Sequence, residues 1–161
     1  MGQPTDSLQL RRLMEDLIAQ GAENIDLVTP THYLPTVLPA LEKKLPVPVV
    51  YNCGGYERVE TLRMLDGLVD VYLPDCKYVD PTLSKSLSCA ADYFEVASAA
   101  ILEMARQTGI ARFDDNGMMV KGTMVRHLVL PGHTKNSMQV LDWLASIKET
   151  AVQYLHSTIL S

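Results

Sequence analysis

Cysteine is scarce in this chain. Cys53, Cys76 and Cys89 are too few and too widely spaced for a disulfide framework, and an odd count fits a reducing, cytoplasmic setting. No pair has the C-x-x-C spacing of a zinc site, so no metal is expected on these thiols. Long apolar runs are also missing: none approaches the roughly 18 to 20 residues that cross a bilayer, and residues 1–12 lack the apolar stretch of a secretory signal. Positive charge is not in excess. Fourteen Lys and Arg against nineteen Asp and Glu give a formal charge of -5, which excludes a general attraction to nucleic acid or an anionic membrane. Neither G-x-G-x-x-G nor a P-loop occurs. His32, His127 and His133 lie on separate elements without metal-binding spacing.

What is present reads as a folded α/β chain. An apolar fraction of 47% with 20% charged residues argues against disorder, and 161 residues suffice for one domain but not two. Leu8, Leu10, Leu13, Met14, Leu17 and Ile18 recur at helical spacing, so residues 7–20 are expected to form an amphipathic helix capped by Asp6 or Ser7 and ended by Gly21. Strands are expected at 24–29 (NIDLVT), 47–51 (VPVVY), 69–73 (VDVYL) and 124–130 (MVRHLVL). Helices are expected at 34–45, with Pro39 as a kink or a late start, and at 57–65, 92–107 and 137–148. Asp114-Asp115-Asn116-Gly117 marks a hairpin tip, and residues 150–161 show no pattern beyond a strand near 152–155.

Strands of about five residues alternate with helices, and every return is long enough for a crossover. The strands should therefore run parallel and be buried on both faces, in an open doubly wound sheet or a segment of a barrel. Four strands are too few to close a barrel. The chain opens on a helix with no strand before it, so a preceding strand is expected to be missing.

In parallel α/β folds ligands bind beyond the carboxyl ends of the strands. Asp75-Cys76-Lys77 follows the strand VDVYLP, and alternation places Asp75 and Lys77 on one side, where they form either an ion pair or the two ends of a zwitterion or ribose site. Arg126 lies inside an apolar strand, which costs several kcal/mol of desolvation unless it meets a carboxylate or an anionic ligand. His127 faces the other way, as a core histidine. Asn52 with Gly54-Gly55 allows either a tight turn or close approach of a ligand. Lys77 also fits a Schiff-base aldolase, although Asp75 beside it favours the charged amine that such chemistry must avoid.

The runs YNCGGYE, LDGLVDVYLPDCKY and VRHLVLPG, in this order and spacing, resemble radical S-adenosylmethionine proteins, in the branch related to pyruvate formate-lyase activating enzymes. The resemblance covers residues 7–147 and leaves 149–161 as an atypical tail of a single domain. It implies a partial TIM-like (βα)6 barrel that binds a [4Fe-4S] cluster and S-adenosylmethionine and generates a 5′-deoxyadenosyl radical. In activating enzymes that radical acts on a glycine of a partner glycyl-radical enzyme. Asp75 and Lys77 match the D-x-K motif that contacts the ribose and methionine parts, Arg126 the strand arginine near the methionine carboxylate, and Asn52 the asparagine of the T-N-G-type loop. Thr29-Pro30-Thr31 stands where the family has G-G-E, so Thr29 and Thr31 are the substitute acceptors for the methionine ammonium. The C-x3-C-x2-C cluster motif is absent, and the resemblance would place it before Met1. The chain thus resembles an N-terminally truncated radical enzyme, expected to lack radical chemistry alone. The alternatives are a non-catalytic interaction module that self-associates through an open barrel edge, or the aldolase.

Overall fold

A computed structural model describes residues 5–147 and, as backbone, 152–158. Helix α1, Ser7–Ala19, starts where the sequence predicts. The Asp6 carboxylate accepts from the Gln9 N–H at 2.8 Å, and the Gln9 side chain accepts from the Asp6 N–H at 3.2 Å. Strand β1, Ile25–Val28, leads through a 3-10 turn at Pro30–Tyr33 into α2, Leu34–Leu41. This helix starts on time but ends at Leu41, short of the expected 45: Pro46 disfavours a helical conformation at Leu45, and the Arg11 guanidinium takes the Ala40 and Lys43 carbonyls at the helix end. The next strand, β2, is Val49–Cys53 rather than 47–51, since Pro48 has no N–H to donate.

Helix α3 spans only Val59–Arg63, and β3 is Val71–Pro74. Helix α4, Pro81–Ser88, was not foreseen, although its start has an ordinary signature. Asp80 caps it by accepting from Thr82 and Leu83 N–H, and Pro81 sits where an N–H is not needed. Helix α5 is Tyr93–Thr108. The expected hairpin is present: β4, Arg112–Phe113, pairs antiparallel with the start of β5, Met119–Val129, around a turn in which the Asp114 carboxylate accepts from Asn116 and Met118 N–H. Helix α6 is Thr134–Ser146. In the tail 149–161 a strand was expected near 152–155, and strand β6 is there and longer, Val152–Thr158, parallel to β5 from Thr123↔Val152 to Val129↔Thr158. Its VQYLHST segment, with Val, Tyr and Thr at alternate strand positions, suits the role.

The strands order as β1-β2-β3-β5, with β4 antiparallel at the start of β5 and β6 on its far side; the other pairings are parallel. The protein is therefore an α/β fold on a mostly parallel sheet. The expectation of burial on both faces by helices is not met. Met14 of α1, Val37 and Leu41 of α2, Leu62 of α3 and Met104 of α5 pack on Ile25, Val49, Tyr51, Cys53 and Tyr72, while Val140 and Leu144 of α6 pack with Val125 and Cys76. All these strand residues share one face. On the other face lie Asp26, Val28, Asn52, Leu73 and Met124, with the β4–β5 hairpin folded beneath. Phe113, Met118 and Met119 there border a cavity of about 350 Å³ floored by Val50, Val71 and Leu73. Among the described residues, β1 has no strand on its outer edge. No helix among them is long and apolar enough to cross a membrane.

Candidate functional site at the strand ends

Beyond Pro74 the chain stays extended for a few residues. Asp75 bridges Arg126 of β5 in parallel register, its N–H donates to the Cys53 carbonyl at 3.0 Å, and the Cys76 N–H donates to the Arg126 carbonyl at 2.8 Å. This continuation aims Asp75 and Lys77 at the helix-free face and Cys76 into the core. Arg126 follows the same alternation on β5, between the buried Val125 and His127.

Five side chains form one network. Arg126 Nε donates to Asp75 Oδ1 at 2.9 Å, and Nη2 approaches the same oxygen at 2.8 Å. Nη2 also donates to Asn52 Oδ1 at 2.8 Å, and Asn52 Nδ2 donates to Asp26 Oδ2 at 3.2 Å. Lys77 Nζ lies 3.5 Å from Asp75 Oδ2. The side chains of Arg126, Asp75 and Lys77 are 34%, 23% and 41% exposed, so the cluster is shielded enough to hold its geometry and open enough to meet a ligand. Lys77 and Arg126 are balanced in the network by Asp75 and Asp26, so it offers a ligand groups of both signs.

Gly55 brings the β2 loop against this cluster. Its φ is +81°, and a Cβ there would lie 2.0 Å from the Asp75 carbonyl oxygen, so only glycine fits. Gly54 leaves open the space beside Lys77 Nζ, 3.8 Å from where its Cβ would stand.

The structure does not gather every predicted residue. Thr29 contributes backbone: its N–H donates to the Asn52 carbonyl at 2.8 Å, and it adopts φ 48°, ψ 50°, a costly conformation for a β-branched residue. The Thr31 hydroxyl turns away from the Asp75 network. It donates to Glu57 Oε1 at 2.8 Å and shares a 2.9 Å hydrogen bond with the Tyr51 hydroxyl.

Two residues escaped the sequence reading. Glu57 is only 7% exposed, and burial pushes its carboxyl upward against the opposing effects of the Thr31 hydroxyl and of His32. It stands in YNCGGYE, read there as a helix start, whereas α3 begins two residues later. Tyr93 is buried at the start of α5, and a tyrosine in a first helical turn carries no site signal.

His127 is buried in the core, its Nδ1 2.7 Å from the Cys76 carbonyl oxygen. Cys53 and Cys76 are also buried, and burial pushes both thiols up to about 12, which disfavours the thiolate that metals require. Cys89 is exposed at the end of α4. Among the described residues no three His, Cys, Asp or Glu side chains are grouped to hold a metal ion.

No protein-family model matches the chain. It is 28% identical over 139 residues to the uncharacterized protein MJ0674 of Methanocaldococcus jannaschii; the match covers 81% of this chain and 36% of that relative. The chain thus spans little more than a third of the length of the curated relative it matches.

Proposed function

We propose that this chain is the S-adenosylmethionine-cradling section of a radical S-adenosylmethionine-type (βα) barrel, related to pyruvate formate-lyase activating enzymes. The observation that carries the reading is the convergence of Asn52, Asp75, Lys77 and Arg126, from three adjacent strand ends, on the face that no helix covers. Helices on one face only also favour a barrel wall over a doubly wound sheet, which carries them on both.

The donor set fits the sulfonium cofactor. When bound, S-adenosylmethionine supplies an activated sulfonium joined to methionine and 5′-deoxyadenosyl groups. Arg126 and Lys77 offset the charge of a carboxylate, the Asp75 carboxylate accepts from ribose hydroxyls or an ammonium, and the Asn52 amide does either. These groups are held to one another before a ligand arrives, which lowers the ordering cost of binding. An iron–sulfur cluster does not fit the described residues, because Cys53 and Cys76 are buried thiols and Cys89 lies on another element. The proposed role of this chain alone is therefore binding.

Titration calorimetry of S-adenosylmethionine into the purified chain tests the reading. Saturable binding is expected, weakened at least about tenfold in each of Asp75→Ala, Lys77→Ala and Arg126→Ala. A folded chain that gives no saturable heat, or variants that bind like the parent, would overturn it. An aldolase is less favoured, since a Schiff base needs a neutral amine and Lys77 is ion-paired with Asp75.

A second reading, an interaction module, has its own support. A groove of about 610 Å³ runs along the open edge of β1 between Leu10 and Tyr33, and Leu8, Leu13 and Leu17 of α1 are exposed nearby. Self-association through that edge would appear as a concentration-dependent mass in sedimentation equilibrium, abolished by Val28→Lys.

A further inference from the structure

Lys77 lies beyond the last regular residue of β3, so its peptide is held by side chains rather than by strand pairing. The Asn136 amide donates to its carbonyl at 3.0 Å, and its N–H donates to the Tyr93 hydroxyl at 3.1 Å. That hydroxyl also lies 2.9 Å from the Gly54 carbonyl oxygen and 3.0 Å from the Asp75 carbonyl oxygen. A phenol has one hydrogen to give, so it serves the two carbonyls in turn while its lone pair takes the amide.

The ring is fixed as firmly as the hydroxyl. Tyr93 is 4% exposed, stacks on Tyr56 with centroids 6.0 Å apart and planes 9° from parallel, and meets Tyr78 edge-on at 5.2 Å. One rigid phenol, anchored in α5, thus touches the backbone of both segments that carry the proposed cradle. Gly54 stands two residues past Asn52; the other contacts are to Asp75 and Lys77 themselves.

We propose that Tyr93 is a positioning residue, which fixes Lys77 relative to Asn52 without touching the ligand; Asp75 is already tied to both neighbouring strands by its N–H and its bridge to Arg126. The proposal rests on the reading of that cluster as a ligand cradle. Without the hydroxyl, the Lys77 N–H and one of the two carbonyls lose their partner in a buried place, and the segment relaxes away from the β2 loop.

Tyr93→Phe keeps the ring and removes only the hydroxyl. The Lys77 amide is expected to exchange with solvent at least about tenfold faster, and S-adenosylmethionine affinity to fall about tenfold. In a Lys77→Ala background the same substitution should cost less than about threefold, since its effect passes through the lysine. A general loss of stability would weaken binding equally in both backgrounds. Tyr56→Phe, which removes a hydroxyl bonded to Asp92 in the same aromatic stack, should leave affinity unchanged. Wild-type affinity in Tyr93→Phe, or equal losses with and without Lys77, would overturn the proposal. If the parent chain binds no S-adenosylmethionine, the functional reading fails, and unchanged Lys77 exchange in Tyr93→Phe would still refute the positioning role.

Discussion

Tyr51 and Asn52 are chain neighbours on β2 and do opposite work. The Tyr51 ring is buried among α2, α3 and α5, whereas Asn52 looks out from the other face and joins Arg126 to Asp26. The contrast runs through the sheet. Tyr72, Val125 and His127 are sealed under helices, while Leu73, Met124 and Arg126 beside them on the same strands are not. With side chains alternating every residue, one set of strands carries a face that holds the protein together and a face free to carry polar groups. The covered face owes its stability to apolar area removed from water, and the open face contributes little of that.

The joint between the faces is where the largest effect is expected. Gly55→Ala would drive a Cβ into the Asp75 carbonyl and force a non-glycine residue to φ +81°. A loss of more than about 4 kcal/mol, or failure to fold, is expected in urea unfolding. Next comes a direct contest between the faces. Ile101 of α5 is fully buried, and Ile101→Ala should cost about 2–5 kcal/mol. Val28 on the open face is 63% exposed, and Val28→Ala should stay within about 0.5 kcal/mol. A costly Val28→Ala would show that something covers the open face in solution.

Arg126→Met sharpens the contrast by separating stability from binding. The Arg126–Asp75 pair is partly exposed, and Asp75 keeps Lys77 when the guanidinium goes. The unfolding free energy should drop by about 1 kcal/mol or less, against an ordinary core loss for Ile101→Ala. Binding of S-adenosylmethionine should fall at least about tenfold in the same protein, measured by calorimetry. A loss of stability comparable to that of Ile101→Ala would make the pair structural and leave the open face without a demonstrated task.

Much of the covered face was legible in the sequence, because period 3.6 and short β-rich runs report burial directly. The α1 start at Asp6 and the hairpin turn at Asp114–Gly117 lie where their side-chain chemistry puts them. The boundaries of α2 and β2 shifted because Pro46 and Pro48 act on neighbouring backbone, which an apolar pattern does not register. Asp75, Lys77, Arg126 and Asn52 could be picked out as polar residues at the ends of apolar strands, but that Arg126 meets Asn52 depends on the β2-β3-β5 order, which is long-range. Thr31 looked like a cradle residue by its place after β1. Its hydroxyl is instead taken by Glu57, whose return toward the sheet depends on the turn at Gly55. The role of Tyr93 was illegible because the partners of its hydroxyl lie 16 to 39 positions earlier in the chain.

Glu57 tests the comparison at its finest, being a carboxyl tucked toward the covered side and linked through Thr31 to the buried Tyr51. Burial raises its folded value above the ordinary one, with the Thr31 hydrogen bond and His32 working the other way. A carboxyl raised in the folded state binds its proton more tightly there than in the unfolded chain. Its contribution to stability is complete below the unfolded value and is lost as pH rises through the folded one. Glu57→Gln keeps an acceptor for Thr31 and cannot ionise. The stability of Glu57→Gln minus that of the parent should therefore rise as pH increases upward from the ordinary carboxyl range. Thermal unfolding of both proteins at matched pH values reads this difference. A difference that falls with pH would mean that the Thr31 hydrogen bond and His32 outweigh burial, and that the rim of the covered face accepts charge as readily as the open one.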